Sequence, residues 1–247
     1  MAQAIGVDIG GTGIKAGIVD LDLGTLTSDR VRVPTPQGAS PADVLSAVTQ
    51  VLDTLGVAES RLPLGVAFPA IVKHGRTLSA ANVSDEWIDF GAERFFENGL
   101  GRQIAFANDA DAAGVAEVRH GAARDARGLT IVTTLGTGIG SAFLYDGVLL
   151  PNTELGHMDR NGESIERWCA SSAMERENLS WEEWASRLQE FYSQVEFLFS
   201  PDLFVVGGGV SKNPEKFLPL LELNTPIVTA VHRNNAGIIG AASLATD

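Results

Sequence analysis

Apolar and polar positions follow two rhythms along the chain. Short apolar runs bounded by glycine, proline or aspartate predict strands. Apolar residues spaced at three and four predict helix faces. The runs Ala4 to Ile9, Ile14 to Asp20 and Arg30 to Val33 predict an antiparallel meander whose first turn is Gly10-Gly11-Thr12-Gly13. Ser40 and Pro41 open a helix as N-cap and first residue, with the stripe Val44, Leu45, Val48, Val51, Leu52 and Leu55. Leu64 to Phe68 reads as a buried strand, and Ile104 to Ala107 as a short one leading into Asn108-Asp109 and a helix over Ala110 to Arg119. A second glycine meander runs from Thr130 to Leu135, through Gly136-Thr137-Gly138-Ile139-Gly140, to Ser141 to Tyr145. Ser180-Trp181-Glu182-Glu183 is a capping box, and the helix after it carries Trp184, Leu188, Phe191, Val195 and Leu198 on one face. Leu203 to Val206 is a strand ending in Gly207-Gly208-Gly209, and Ala236 to Ala245 is a helix of small residues. Strands alternating with helices predict the α/β class.

Residues 5–20 (IGVDIGGTGIKAGIVD) and 131–146 (IVTTLGTGIGSAFLYD) share one plan: strand, glycine turn, strand, aspartate. The repeat predicts two related halves dividing near residue 105, with a cleft between them as the natural ligand site. A length of 247 residues accommodates two such cores. Apolar runs are too short to span a membrane, and the N-terminus lacks the basic and apolar regions of a secretory leader. The one cysteine, Cys169, excludes an intrachain disulfide framework and a multi-cysteine metal cluster. Together these predict a cytoplasmic protein. The net charge of −13, from 31 acids against 18 bases, argues against general nucleic-acid binding. It also requires any polyanionic ligand to find a locally positive groove.

The two glycine turns carry the first candidate chemistry. Without a Cβ, glycine lets backbone amides approach an anion, and threonine adds a hydroxyl. Asp8, just before the first turn, suits a hydrated Mg²⁺ beside phosphates. A single such turn reads equally as a tight hairpin; two equivalent ones, one with an acid and Lys15, point to phosphate handling. Neither matches the P-loop or the dinucleotide fingerprint. Gly207-Gly208-Gly209 is either a strand-to-helix turn or a close approach to a phosphate chain. Asp109 is either the cap of the helix that follows or a carboxylate that takes a proton from a substrate hydroxyl. Asn108 offers donor and acceptor beside it, and Asp111 suits the helix N-terminal end. Glu154, His157 and Glu166 add the acids and imidazole that suit a polyol.

Asp8-Ile-Gly-Gly-Thr, Asn108-Asp109, Gly136-Thr-Gly-Ile-Gly and Glu154-Leu-Gly-His157, in that order, resemble the ROK family of sugar kinases along nearly the whole chain. Leu135-Gly-Thr-Gly-Ile-Gly-Ser, Pro151-Asn-Thr-Glu-Leu-Gly-His and Leu179-Ser-Trp-Glu-Glu-Trp resemble its branch that phosphorylates glucose from polyphosphate, some members of which use ATP or mannose. The resemblance implies a two-domain actin-like ATPase fold of the hexokinase and ribonuclease H-like kind, with sugar in the interdomain cleft. It implies domains over 1–105 and 106–233, with a C-terminal helix at about 234–247 packed back on the first, and a homodimer. It implies Asp109 as the base toward the sugar 6-hydroxyl, and Asn82, Asn108, Glu154, His157 and Glu166 as sugar ligands. Gly10, Gly11, Thr12, Lys15, Gly136, Thr137, Gly138 and Gly208 would hold phosphates, with Asp8 near Mg²⁺. Many members carry a cysteine-rich zinc loop after the histidine; here that stretch is short and holds only Cys169, so no structural zinc is expected. No helix-turn-helix precedes the first strand, which sets aside the repressor branch. Lys15, Lys73, Arg76, Lys212 and Arg233 are candidates for a basic track toward the phosphate turns. The alternatives are an ATP-dependent hexose or N-acetylhexosamine kinase of the same fold and a non-catalytic sugar sensor.

Overall fold

The structure is a computed structural model and describes residues 2–80 and 83–247. The chain forms two units, Met1–Ala116 with Asn235–Asp247, and Glu117–Asn234. Among the described residues no helix is long and apolar enough to cross a membrane.

In the first unit the apolar alternation folds back on itself as β1 (Gln3–Gly10) and β2 (Gly13–Asp20), paired antiparallel from Gln3↔Asp20 to Gly10↔Gly13. β3 (Thr25–Leu26) and β4 (Val31–Val33) both lie against β2. β3, two residues long, is too short to show a period. α1 (Pro41–Thr54) starts as expected, with the Ser40 side chain accepting from the Asp43 N–H. Its Val44, Val48, Val51 and Leu52 are buried. β5 (Leu64–Phe68) follows, then the ribbon of β6 (Val72–Lys73) and β7 (Arg76–Thr77), α2 (Ala92–Leu100), β8 (Ala105–Asn108) and α3 (Asp109–His120). β5 runs parallel to β1 and β8 parallel to β5, giving the order β3-β2-β1-β5-β8. Pairing with β5 ties β8 to the first unit, which is why the division falls within α3 rather than at residue 105. Trp87 anchors this core. It stacks on Phe96 at 5.8 Å and donates its Nε1–H to the Ala39 carbonyl at 2.8 Å.

The second unit repeats the plan. β9 (Leu129–Leu135), β10 (Ile139–Tyr145) and β11 (Val148–Leu150) form the meander. The ribbon of β12 (Asp159–Arg160) and β13 (Glu163–Ser164) leads to α4 (Glu166–Cys169), α5 (Ser171–Glu177) and α6 (Trp181–Phe199). β14 (Leu203–Gly207) and β15 (Ile227–Thr229) then extend the sheet in parallel, in the order β11-β10-β9-β14-β15. Both units thus carry an antiparallel meander continued from its first strand by two parallel strands, the actin-like ATPase arrangement. The capping box opens α6, with Ser180 accepting from the Glu183 N–H and Glu183 from the Ser180 N–H. Trp184, Leu188, Phe191 and Val195 are buried, but Leu198 is 54% exposed, because at the end of the helix the sheet contact falls to Phe199, whose ring packs on Phe143 at 4.9 Å.

α7 (Ala236–Leu244) returns to the first unit, and its small residues have a steric reason. A Cβ on Gly65 would lie 1.8 Å from the Ala241 carbonyl oxygen, and one on Gly6 1.9 Å from that of Ile238. Helix and sheet therefore meet backbone to backbone.

Candidate active site

Parallel strands deliver their C-terminal ends to one sheet edge, where ligands of α/β folds bind. In the first unit β1, β5 and β8 end at Gly10, Phe68 and Asn108, so the first glycine turn and Asn108-Asp109 share that edge. Asn108 is 7% exposed and is itself the cap of α3. Its Oδ1 accepts from the N–H groups of Ala110 (2.8 Å) and Asp111 (3.0 Å), and its Nδ2 donates to the Ala70 carbonyl at 3.0 Å. The cap that the sequence offered to Asp109 thus belongs to its neighbour. An amide oxygen has two lone pairs and both are used, so Asn108 has only an N–H to offer a ligand. Asp109 is partly exposed in the first turn of α3, with Oδ1 accepting from the Ala110 N–H at 2.9 Å.

At the first turn the Asp8 carboxylate is paired with the Lys15 ammonium at 2.7 Å, across the β1–β2 ladder. Asp8 is also pressed by α7, since a Cβ on Gly237 would lie 2.7 Å from its Cγ. Arg32 donates to the Thr12 carbonyl at 2.7 Å, and its guanidinium fills the space a Gly13 side chain would need. Gly11 and Thr12 are exposed. Arg32 is a cation at this turn that sequence reading missed. Its only signal was its place in a strand opposite Lys15.

In the second unit β9 and β14 bring the second turn and Gly208 to one edge. Gly208 has φ +84°, and a Cβ there would lie 2.3 Å from the Leu135 carbonyl oxygen, so this position takes only glycine. It leads into a 3₁₀ turn over Gly209–Lys212. The first hairpin closes over Gly11 and Thr12, whereas the second closes over Gly136, Thr137 and Gly138, one residue longer. Ser171 Oγ donates to the Gly136 carbonyl (2.9 Å), and Ser172 Oγ to that of Thr137 (2.6 Å). In a trans peptide the N–H points opposite to the carbonyl. With those two carbonyls drawn to α5, the N–H groups of Thr137 and Gly138 face away from it, the disposition that receives an anion. Ser171 and Ser172 followed no motif in the sequence.

Glu154, His157 and Glu166 come together beside this turn. Glu166 Oε2 accepts from the Ile139 N–H at 2.9 Å and occupies the space that a Cβ on Gly138 (2.4 Å) or Gly156 (2.9 Å) would take. His157 Nε2 stands 3.9 Å from Glu154, with Nδ1 3.4 Å from Ser164 Oγ. Burial holds the Glu154 carboxyl above its usual range; the nearby Glu166 charge adds to this and His157 opposes it. Between His157 and Glu166 the chain makes only the β12–β13 ribbon, turned over Asn161 (φ 57°) and Gly162 (φ 87°). Positive φ at both positions is what a two-residue hairpin turn requires. Cys169 is buried, and burial pushes its thiol up to about 12. Trp184 is core, donating to the Cys169 carbonyl at 2.9 Å. Asn82 lies outside the described residues.

No group of three or more His, Cys, Asp and Glu among the described residues is disposed to hold a metal ion. Mg²⁺ bound through one carboxylate plus donor phosphates and water needs no such cage. Asp8 fits that role through one oxygen, beside the amides of its own turn.

The ROK family profile matches residues 4–173. The polyphosphate glucokinase of Mycobacterium tuberculosis is 45% identical over 241 residues, 97% of this chain and 90% of that protein. That of Mycobacterium leprae is 43% identical over 245 residues, 99% of this chain and 75% of that protein. The crystal structure of the inorganic polyphosphate/ATP-glucomannokinase of Arthrobacter sp. strain KM superposes with a TM-score of 0.95 at 51% identity, covering 100% of this chain and 99% of that one.

Proposed function

The chain belongs to the ROK family, and from that premise we propose that it transfers the terminal phosphoryl group of polyphosphate to the 6-hydroxyl of glucose, giving glucose 6-phosphate. The observation that carries this reading is likeness, along nearly the whole chain, to enzymes named for polyphosphate-driven sugar phosphorylation. Likeness to the glucomannokinase supports ATP as a second donor and mannose as a second acceptor. Phosphoryl transfer passes through a loose transition state, so the protein mainly positions the reactants and neutralises charge. Asp109 takes the proton of the 6-hydroxyl as the new O–P bond forms. Asn108 donates its remaining N–H to the sugar; Glu154, Glu166 and His157 bind the other hydroxyls. The amides of Thr137 and Gly138, with Gly208 beside them, receive donor phosphates, as do Gly10, Gly11 and Thr12 with Arg32 and Lys15. Mg²⁺, held by Asp8, offsets phosphate charge. The acceptor side is tested with 6-deoxyglucose and by ³¹P NMR of the product. Turnover with glucose but not with its 6-deoxy analogue, and a 6-phosphate product, are expected. Phosphorylation of 6-deoxyglucose overturns the assignment, and turnover that persists in EDTA overturns the role of Mg²⁺.

The Glu154 environment gives a pH prediction. An ionised carboxylate accepts sugar hydroxyls at both oxygens through charge-assisted bonds, and protonation turns one of those oxygens into a donor and weakens the other as an acceptor. As pH falls through the raised Glu154 pKa, glucose KM is expected to rise, at a pH above the 4.5 of an ordinary glutamate. Linkage has the matching sign: ionised Glu154 costs stability above its folded pKa, and that cost is relieved below it. Glu154→Gln raises KM at every pH and removes the step. A wild-type KM that stays flat to pH 4.5 contradicts the assignment.

A homodimer is supported by an apolar face on the second unit. Phe143 pairs with Leu150 and Tyr145 with Val148, so the four share one side of the sheet. Phe199 packs on Phe143 at 4.9 Å, while Tyr145, Val148 and Leu150 are exposed beside the edge strand β11. Molar mass in solution tests this: two copies are expected and one copy contradicts it. A reducing cytoplasm suits a chain whose single thiol is buried and unpaired.

A further inference from the structure

In the second unit the β12–β13 ribbon, α4 and α5 border a cavity of about 510 Å³ whose lining includes Arg160, Arg167, Arg176 and Trp168, with Glu163 and Glu177 as the acids among them. Three arginines around one cavity stand out in a chain with 18 bases against 31 acids. Arg160 and the neighbouring Arg187 form a fixed wall. The Arg160 guanidinium lies 3.5 Å from the centre of the Trp168 ring and pairs with Glu190 at 3.0 Å. Arg187 pairs with Glu177 at 2.7 Å and donates to the Trp168 carbonyl at 2.8 Å. Arg167 and Arg176 differ. Their side chains are 72% and 55% exposed. Arg167 stands 3.7 Å from Glu163, beyond hydrogen-bond length. Arg176 uses Nη2 for both Glu177 (2.7 Å) and the Arg167 carbonyl (2.6 Å). A guanidinium has five N–H groups, and exposed pairs of this kind break readily. Both side chains therefore have donors to give an anion.

The cavity also has a physical connection to the second phosphate turn. α5 begins at Ser171 and Ser172, which hold the carbonyls of Gly136 and Thr137, and near its other end carries Arg176. A helix of seven residues spans roughly 10 Å. The amides of Thr137 and Gly138 lie on the side of the turn away from α5, so a donor anchored there has to pass round the turn and then along the helix to reach the arginines, a path longer than α5 itself. A long phosphoanhydride chain carries negative charge at every step of such a path. A nucleoside triphosphate instead ends in a base, and the Trp168 face it would stack on is covered by Arg160. A neutral sugar has no use for the arginines.

Resting on the donor reading above, we propose that this cavity is a second contact for polyphosphate, in which Arg167 and Arg176 hold phosphates several positions away from the one transferred. The test compares donor KM values for long-chain polyphosphate, tripolyphosphate and ATP, at saturating glucose, in wild type and in the double variant Arg167→Gln/Arg176→Gln. Loss of two charge-assisted contacts is expected to raise KM for the long chain about tenfold relative to that for ATP. Glu163→Gln, which removes the acid facing Arg167, is expected to lower the long-chain KM. Equal shifts for all three donors, or none, overturn the proposal. Equilibrium dialysis with long-chain polyphosphate separates the two readings. If wild type turns over only with ATP, the donor reading has failed. Dialysis then still decides the cavity: binding that the double variant loses upholds it as a polyphosphate site, and no binding, or equal binding, overturns it.

Discussion

Asparagine at position 109 is expected to lower turnover with either donor by on the order of 10²–10⁴ while glucose KM stays within about twofold, since ground-state binding does not use the proton transfer. The side chain keeps its shape and can still accept from the Ala110 N–H, but it no longer takes a proton. The structure makes this result diagnostic. Had Asp109 been the cap of α3, Asp109→Ala would cost about 1 kcal/mol of stability, whereas asparagine caps a helix as well as aspartate does. Asn108 holds that role, through the N–H groups of Ala110 and Asp111. Both variants should therefore melt close to wild type. Initial rates of glucose 6-phosphate formation beside a thermal melt separate the two effects. A kcat within a few-fold of wild type removes Asp109 from the chemistry. A large fall in Tm with little change in rate returns it to a structural role.

Gly65→Ala is expected to destabilise the protein by about 3 kcal/mol, near the upper end for overpacking a core, because the clashing atom is backbone. The new Cβ meets the Ala241 carbonyl oxygen at 1.8 Å, and no rotamer change relieves it. α7 has to lift from β1 and β5. For a chain of this size that corresponds to a Tm lower by about 6–12 °C. Gly209→Ala is the control, because a Cβ there meets nothing within 4 Å and its φ is ordinary. The effect also reaches the site: Gly237 of α7 abuts the Asp8 carboxylate, so a displaced helix loosens that group. Differential scanning calorimetry of the two variants checks the contrast, and equal melting temperatures contradict the account of α7.

The elements were legible wherever one residue's chemistry decided them. Ser40-Pro41 and the Ser180 capping box marked helix starts, and the two glycine meanders marked both sheets. Candidate residues next to strand ends were legible for the same reason, since parallel strands collect their C-terminal ends at one edge. Partners set by tertiary approach were not. Nothing local distinguishes Asn108 from Asp109 as a cap; the difference comes from Ala70, whose carbonyl fixes the Asn108 amide from another strand end. Ser171, Ser172 and Arg32 act on turns distant in sequence, so no spacing announced them. Leu198 fits the helical period, but it stands at the margin of the apolar face, and the sheet contact falls to Phe199 instead. A charge count does not place Lys73, Lys212 or Arg233 beside a phosphate turn, and Arg76 is held by Asp89 at 2.7 Å. The arginines that surround one cavity lie in the segment after His157, where no spacing sets them apart from solvated surface bases.

Whether polyphosphate drives this enzyme is decided by one measurement. Glucose 6-phosphate formation is followed with Mg²⁺, glucose and a single donor, either long-chain polyphosphate freed of nucleotide or ATP freed of polyphosphate. The account predicts turnover with polyphosphate alone, at a rate at least comparable to that with ATP, and with a donor KM that rises with ionic strength as a charged track requires. Turnover with ATP and none with polyphosphate contradicts it.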